Sequence, residues 1–122
     1  MGLQISTRES AGVTIVDLEG KATIGDDNDL LNNELRKLVA KGTRNLLVNL
    51  EDLTQVDSSG IGTIAGTFIS VSRQGGALKL LRPSGRVRAA LDATKFFDFI
   101  PTFEDEAQAL TSFHLDAHSA GT

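Results

Sequence analysis

The run Asn45-Leu46-Leu47-Val48-Asn49-Leu50 constrains the fold of this chain more than any other segment. It is a continuous apolar run bounded by polar residues, the pattern of a central strand covered on both faces. Helix-forming stretches separate it from an earlier β-branched run, Val13-Thr14-Ile15-Val16-Asp17-Leu18, and from a later one, Ala77-Leu78-Lys79-Leu80-Leu81. Strands spaced this way become parallel neighbours through helical crossovers. Before the first of them lies a short mixed run, Leu3–Arg8, with Gly12 between the two and Gly20 at the end. Two short strands about a glycine turn read as a hairpin.

The intervening stretches carry helical periodicity. Asp26-Asp27-Asn28-Asp29 offers N-cap candidates and negative charge for a helix N-terminus. Leu30, Leu31, Leu35, Leu38 and Val39 follow at helical spacing, and Gly42 fits the position just past the helix end. A second helix is predicted from about Ser59 to Arg73 and ends at Gly75-Gly76. With Ile61, Ile64, Phe68, Val71 and also Ile69, it is apolar on more than one side, so it is expected to be largely buried. Ser84 can cap a third helix carrying Val87, Ala90 and Leu91. Phe96, Phe97, Phe99 and Ile100 form an apolar connection. Thr102 and Asp105 have capping-box spacing for a last helix ending near Phe113. The fold class is α/β: a small mixed sheet, mostly parallel in its centre, packed with about four helices. One domain is expected over 1–122, with a core at about 3–113 and a flexible tail at 115–122.

Composition narrows the function. A chain of 122 residues with 40% apolar and 23% charged residues has the makeup of one ordinary globular core. Its net charge of −4 argues against direct nucleic-acid binding, which needs a basic face. Without cysteine there is neither a disulfide nor a thiolate metal site. The two histidines, His114 and His118, are four apart and lack a third ligand at suitable spacing, so no metal site is expected. No basic segment followed by an apolar stretch opens the chain, and no apolar run reaches a membrane span. Gly2 with Ser6 resembles a myristoylation start, but nothing else supports lipidation. The expectation is a cytoplasmic protein with no membrane association.

The informative segment is Leu50-Glu51-Asp52-Leu53-Thr54-Gln55-Val56-Asp57-Ser58-Ser59-Gly60-Ile61-Gly62. A strand ends, a loop follows, and a hydroxyl cluster opens a helix. The plain structural reading makes the serines caps for free backbone N–H groups. The functional reading starts from the same place, because a helix N-terminus tolerates the −1.5 to −2 charge of a phosphoserine. Gly60 would leave room for an enzyme to approach. Asp57 repels a free anion, which suits a covalently modified serine better than a phosphate pocket.

Glu51-Asp52-Leu53 followed by Val56-Asp57-Ser58-Ser59-Gly60-Ile61-Gly62, after the strand Leu46–Leu50, resembles the STAS domain of bacterial anti-sigma-factor antagonists. Gly20, Gly42, Gly75-Gly76, Val87 with Leu91, and Ala107 with Leu110 also fall where that family places similar residues, so the resemblance spans about residues 3 to 113. It implies a protein-interaction switch, not an enzyme, needing no cofactor. The unphosphorylated form would bind an anti-sigma factor that is also a serine kinase of histidine-kinase-like ATPase fold, releasing a sigma factor. Phosphorylation would fall on Ser58, and a PP2C-type phosphatase would reverse it. Ser59 would be a cap or positioning group, and Asp57, Ser59, Gly60, Ile61 and Gly62 would form the switch motif and partner surface. Two positions depart from the pattern. Lys21 stands where many relatives carry an acidic or small residue, and Asn49 where Asp is frequent.

Other readings are weaker. Gly60-x-Gly62-x-x-x-Gly66 with Arg82 resembles a dinucleotide-binding run, but the glycines do not directly follow the predicted strand. A hydrolase triad would need a histidine near the serine. Arg82, Arg86 and Arg88 form a local basic cluster, either a solvated face or a docking patch for an acidic partner. Within the same fold the alternative is a non-phosphorylated STAS scaffold or interaction subunit, in a stressosome-like or lipid-transport complex.

Overall fold

Side chains in a strand alternate between faces, and this chain uses that alternation to build two unequal cores. In the computed structural model, residues 2–120 are described, with every side chain among them except those of Phe96 and residues 116–120. The elements run β1 (Leu3–Ser10), β2 (Val13–Ala22), α1 (Asp26–Ala40), β3 (Asn45–Val56), α2 (Ser58–Arg73), β4 (Ala77–Leu81), α3 (Gly85–Asp92), a 3-10 turn (Lys95–Phe99), β5 (Thr102–Phe103) and α4 (Glu106–Ala120). The sheet order is β1-β2-β3-β4-β5. β1 and β2 form the expected antiparallel hairpin, turning through Ala11 and Gly12, both at positive φ. The remaining pairs are parallel.

On one face Val16, Leu18, Leu46, Val48, Leu50, Leu78 and Leu80 pack under α1, α2 and α3. On the other face Val13, Ile15, Leu47 and Leu81 meet Ala109 and Phe113 of α4, with Leu110 of α4, Phe103 and Ala77 packed against them. The central run is therefore covered on both sides, as expected, with Leu46, Leu47, Val48 and Leu50 all fully buried. Lys79, in the middle of β4, points to the α4 side. Its ammonium donates to Ser112 Oγ at 2.8 Å and lies 4.7 Å from the Phe113 ring centre.

Four expectations are corrected. The strand predicted to end at Leu50 continues to Val56, because Leu53 and Val56 stay buried while Glu51, Asp52 and Thr54 face water. The polar members of that alternation read as a loop. Thr102 does not cap the last helix. It belongs to β5, and the Asp105 carboxylate accepts from the Gln108 N–H instead. The second helix is not largely buried: Gly60, Ile64, Thr67 and Val71 form its single buried face, and Ile69 is 40% exposed. Helix α4 passes Phe113 and reaches Ala120. The tail predicted at 115–122 falls mainly on side chains and residues outside those described, and so does His118.

A clasp ties α4 to the hairpin. Arg8 donates to Asp17 (Nε–Oδ2 2.7 Å) and to Glu106 (2.7 and 3.0 Å), and Asn49 donates to Asp17 at 2.8 Å. Burial alone would raise the Asp17 carboxyl, but the Arg8 and Asn49 hydrogen bonds outweigh it and hold it below its ordinary 3.8. The Arg8 hydrogen bonds hold Glu106 below its ordinary 4.5. Depressed carboxylates stabilise the fold above their unfolded pKa values, and that contribution is lost as pH falls through the folded ones. The three side chains are all partly exposed, so Arg8→Met should cost about 1 kcal/mol or less at pH 7. Urea midpoints should show this difference shrinking as pH falls below 3.8. A difference of constant size would mean that Arg8 acts by packing alone.

Candidate functional site

The parallel strands β2 and β3 end side by side, with Ala22 paired to Val56. The chain leaves β2 through Thr23-Ile24-Gly25 into α1, and leaves β3 through Asp57 into α2. Asp57 joins the two exits. Its N–H donates to Ala22 O at 3.3 Å, and its Oδ2 accepts from the Ile24 N–H at 2.8 Å. Its Oδ1 accepts from the N–H of Ser59 at 3.0 Å, the N–H of Gly60 at 3.3 Å and the hydroxyl of Ser59 at 2.5 Å. The Ser59 hydroxyl and the Ile24 N–H are the main reasons the Asp57 carboxyl stays below its ordinary pKa. Asp57, not either serine, is thus the N-cap of α2.

This arrangement separates the two hydroxyls. Ser59 is half-buried and bound to Asp57. Ser58 is exposed, and its hydroxyl has no hydrogen-bond partner among the described residues. The Asp57 carboxylate is already engaged by its cap, and His114 lies on α4, across the sheet. Neither side chain hydrogen-bonds the Ser58 hydroxyl.

Gly60 does not serve access. It is buried, and a Cβ there would lie 2.6 Å from Ala22 O and 2.7 Å from Val56 Cγ2. The residue lets α2 approach the strand ends. Gly62 and Gly66 are the open positions, with nothing near a Cβ. With Ser58 and Ser59 they line one wall of a groove of about 700 Å³, and Leu35 and Val39 of α1 line the other. Ile61 is half-buried against the main core. Thr63 donates to Asn28 Oδ1 at 2.7 Å and fastens α2 to the first turn of α1.

Because β3 runs to Val56, the glycines lie closer to a strand than the sequence suggested. The dinucleotide reading still fails, since Asp57 occupies the N–H groups a phosphate would need and Gly60 faces inward. Among the described residues no cluster of acidic or histidine side chains could hold a metal. No described helix is long and apolar enough to cross a membrane.

Sequence reasoning missed Ile24. It is 80% exposed, yet its backbone is fixed by Asp57. Its signal was an apolar residue inside a polar loop, which single-sequence periodicity does not flag.

The family model for the STAS domain matches residues 4–109. An anti-sigma F factor antagonist of Paenibacillus polymyxa is 27% identical over 116 residues, covering 94% of this chain and 98% of the relative. An anti-sigma-B factor antagonist of Bacillus subtilis is 30% identical over 100 residues, covering 82% of this chain and 90% of the relative. The unphosphorylated form of the anti-sigma factor antagonist SpoIIAA superposes with a TM-score of 0.69 at 22% identity, covering 93% and 98% of the two chains. The same protein from Bacillus is also known in a phosphorylated form, again with a TM-score of 0.69, at 19% identity over 91% and 98% of the chains. The chain belongs to the STAS-domain family of anti-sigma-factor antagonists.

Proposed function

We propose that this chain is a phosphorylation-switched binding module. Unphosphorylated, it engages an anti-sigma factor and so frees a sigma factor. A serine kinase of histidine-kinase-like ATPase fold, which is the anti-sigma factor itself, transfers phosphate to Ser58, and a PP2C-type phosphatase removes it. The cytoplasm is the setting this implies. The single observation that carries the reading is the asymmetry of the two hydroxyls: Ser58 is exposed and free, whereas Ser59 is bound to the capping carboxylate. The relatives' names agree, as does the SpoIIAA pair in its two forms. The partner face centres on Asp57, Ser58, Ser59 and Gly62 together with Ile24, whose exposed side chain sits beside the switch, while buried Gly60 and half-buried Ile61 shape that face from beneath.

The test is direct. Incubated with ATP and each anti-sigma kinase of the source genome, the chain should gain one phosphate, mapped to Ser58. Ser58→Ala should gain none. Ser59→Ala should still be modified on Ser58, since its hydroxyl only braces the cap. Phosphate mapped to Ser59, or full-rate labelling of Ser58→Ala, overturns the assignment.

A further inference from the structure

Of the basic cluster Arg82, Arg86 and Arg88, two members are committed within the fold. Arg82 holds Glu51 at 3.2 Å and donates to Glu104 O at 2.6 Å. Arg88 pairs with Glu104 and donates to Pro83 O. Arg86 is exposed and has no ion-pair partner among the described residues. The same is true of Lys21, at the end of β2. These two free cations line one cleft of about 370 Å³, walled by Glu51, Leu53 and Gln55 of β3 and by Ser84 and Gly85 at the start of α3. Glu51 is the cleft's carboxylate, and Arg82 already neutralises it. The cleft is therefore positive on a molecule whose net charge is −4.

Its place matters as much as its sign. Lys21 pairs with Gln55 in the β2–β3 ladder, one step before Ala22 and Val56, whose strands lead into the switch turn. A partner seated over Ser58 would extend across the adjoining strand ends.

We infer that this cleft is the charge-reading part of the partner face, and that it takes an Asp or Glu side chain from the anti-sigma factor between Lys21 and Arg86. The inference rests on the proposed function above. It adds that partner choice is set by an acidic group on the partner, read about one strand away from the serine. Opposite charges across an interface raise the association rate and exclude wrong partners, and their effect fades as salt screens them.

The experiment is titration of the anti-sigma factor against wild type, Lys21→Glu, Arg86→Glu and, as a control, Lys41→Glu, each at low and high salt. Lys41 is an exposed cation at the far end of α1, so its reversal matches the net-charge change alone. Lys21→Glu and Arg86→Glu should each weaken binding about five- to tenfold at low salt, chiefly through the association rate. Lys41→Glu should stay near wild type, and high salt should narrow the differences. A partner variant with its matching carboxylate changed to Lys should restore binding to Lys21→Glu. Equal losses in all three variants, or none in the two cleft variants, overturn the inference while leaving the switch intact. If wild type binds no anti-sigma factor, the proposed function itself fails.

Discussion

Gly60→Ala is expected to lose about 2–3 kcal/mol of stability, whereas Gly62→Ala, two residues along the same helix, is expected to gain about 0.5–1 kcal/mol. Both replacements add one methyl group to α2 and both remove the entropy penalty of glycine in a helix. They differ in what the methyl meets. At Gly60 it lands 2.6 Å from the carbonyl oxygen of Ala22 and 2.7 Å from a Val56 methyl. The first of these is backbone, which cannot rotate away, and the same oxygen accepts the Asp57 N–H. Relief requires α2 to back off from the strand ends, which pulls on the cap that positions Ser58. At Gly62 nothing lies within 4 Å. Urea unfolding with an unchanged slope reads both differences directly. If Gly60→Ala were as stable as wild type, the close approach of α2 would not be what fixes the switch turn.

That contrast also shows where the sequence was legible. The runs at 13–18, 45–50 and 77–81 stand out because a buried strand must be apolar, and the structure makes them β2, β3 and β4 in the expected parallel arrangement. The hairpin was equally readable, from one glycine between two short runs. The far half of β3 was not. Residues 51–56 alternate with mostly polar exposed members, and polar alternation resembles a loop until a neighbouring strand is known to pair with it. β5 is only Thr102–Phe103, too short to carry any periodicity.

At the site, the Asp-Ser-Ser-Gly string marked the place but not the division of labour. Asp57, Ser58 and Ser59 are all common capping residues. Which of them caps depends on backbone direction at the strand end and on the Ile24 N–H, which arrives from thirty-three residues earlier. Likewise a glycine that gives access and a glycine that allows close packing are the same letter. Only the position of Ala22 tells Gly60 from Gly62. The basic cluster behaved the same way: three arginines in the sequence become two structural braces and one free charge once Glu51 and Glu104 are placed.

Ser58→Asp is expected to weaken anti-sigma-factor binding at least about 100-fold while changing stability by no more than about 1 kcal/mol. The small stability change follows from position. Ser58 is the exposed first residue of α2, and its hydroxyl makes no bond that the substitution would remove. The helix N-terminus favours a negative charge there by a few tenths of a kcal/mol, and neighbouring Asp57 opposes it, so a slight loss is the expected sign. The large binding change follows from desolvation. A partner covering this turn must strip water from the added charge, and an imperfectly paired buried charge costs several kcal/mol. At 1.4 kcal/mol per tenfold, a penalty of about 2.8 kcal/mol already gives the 100-fold loss. A phosphate on Ser58 carries more charge than Asp and should weaken binding further. Ser58→Ala removes the acceptor without adding charge and should bind whether or not ATP is present. None of this calls for refolding, because the cap that shapes the turn belongs to Asp57 and Ser59, which the modification leaves in place. Calorimetric titration with the anti-sigma factor, alongside amide spectra of each variant, decides the matter. Wild-type affinity in Ser58→Asp would refute local electrostatics as the switch, and amide shifts spreading from the turn through the whole domain would show that a conformational change carries it instead.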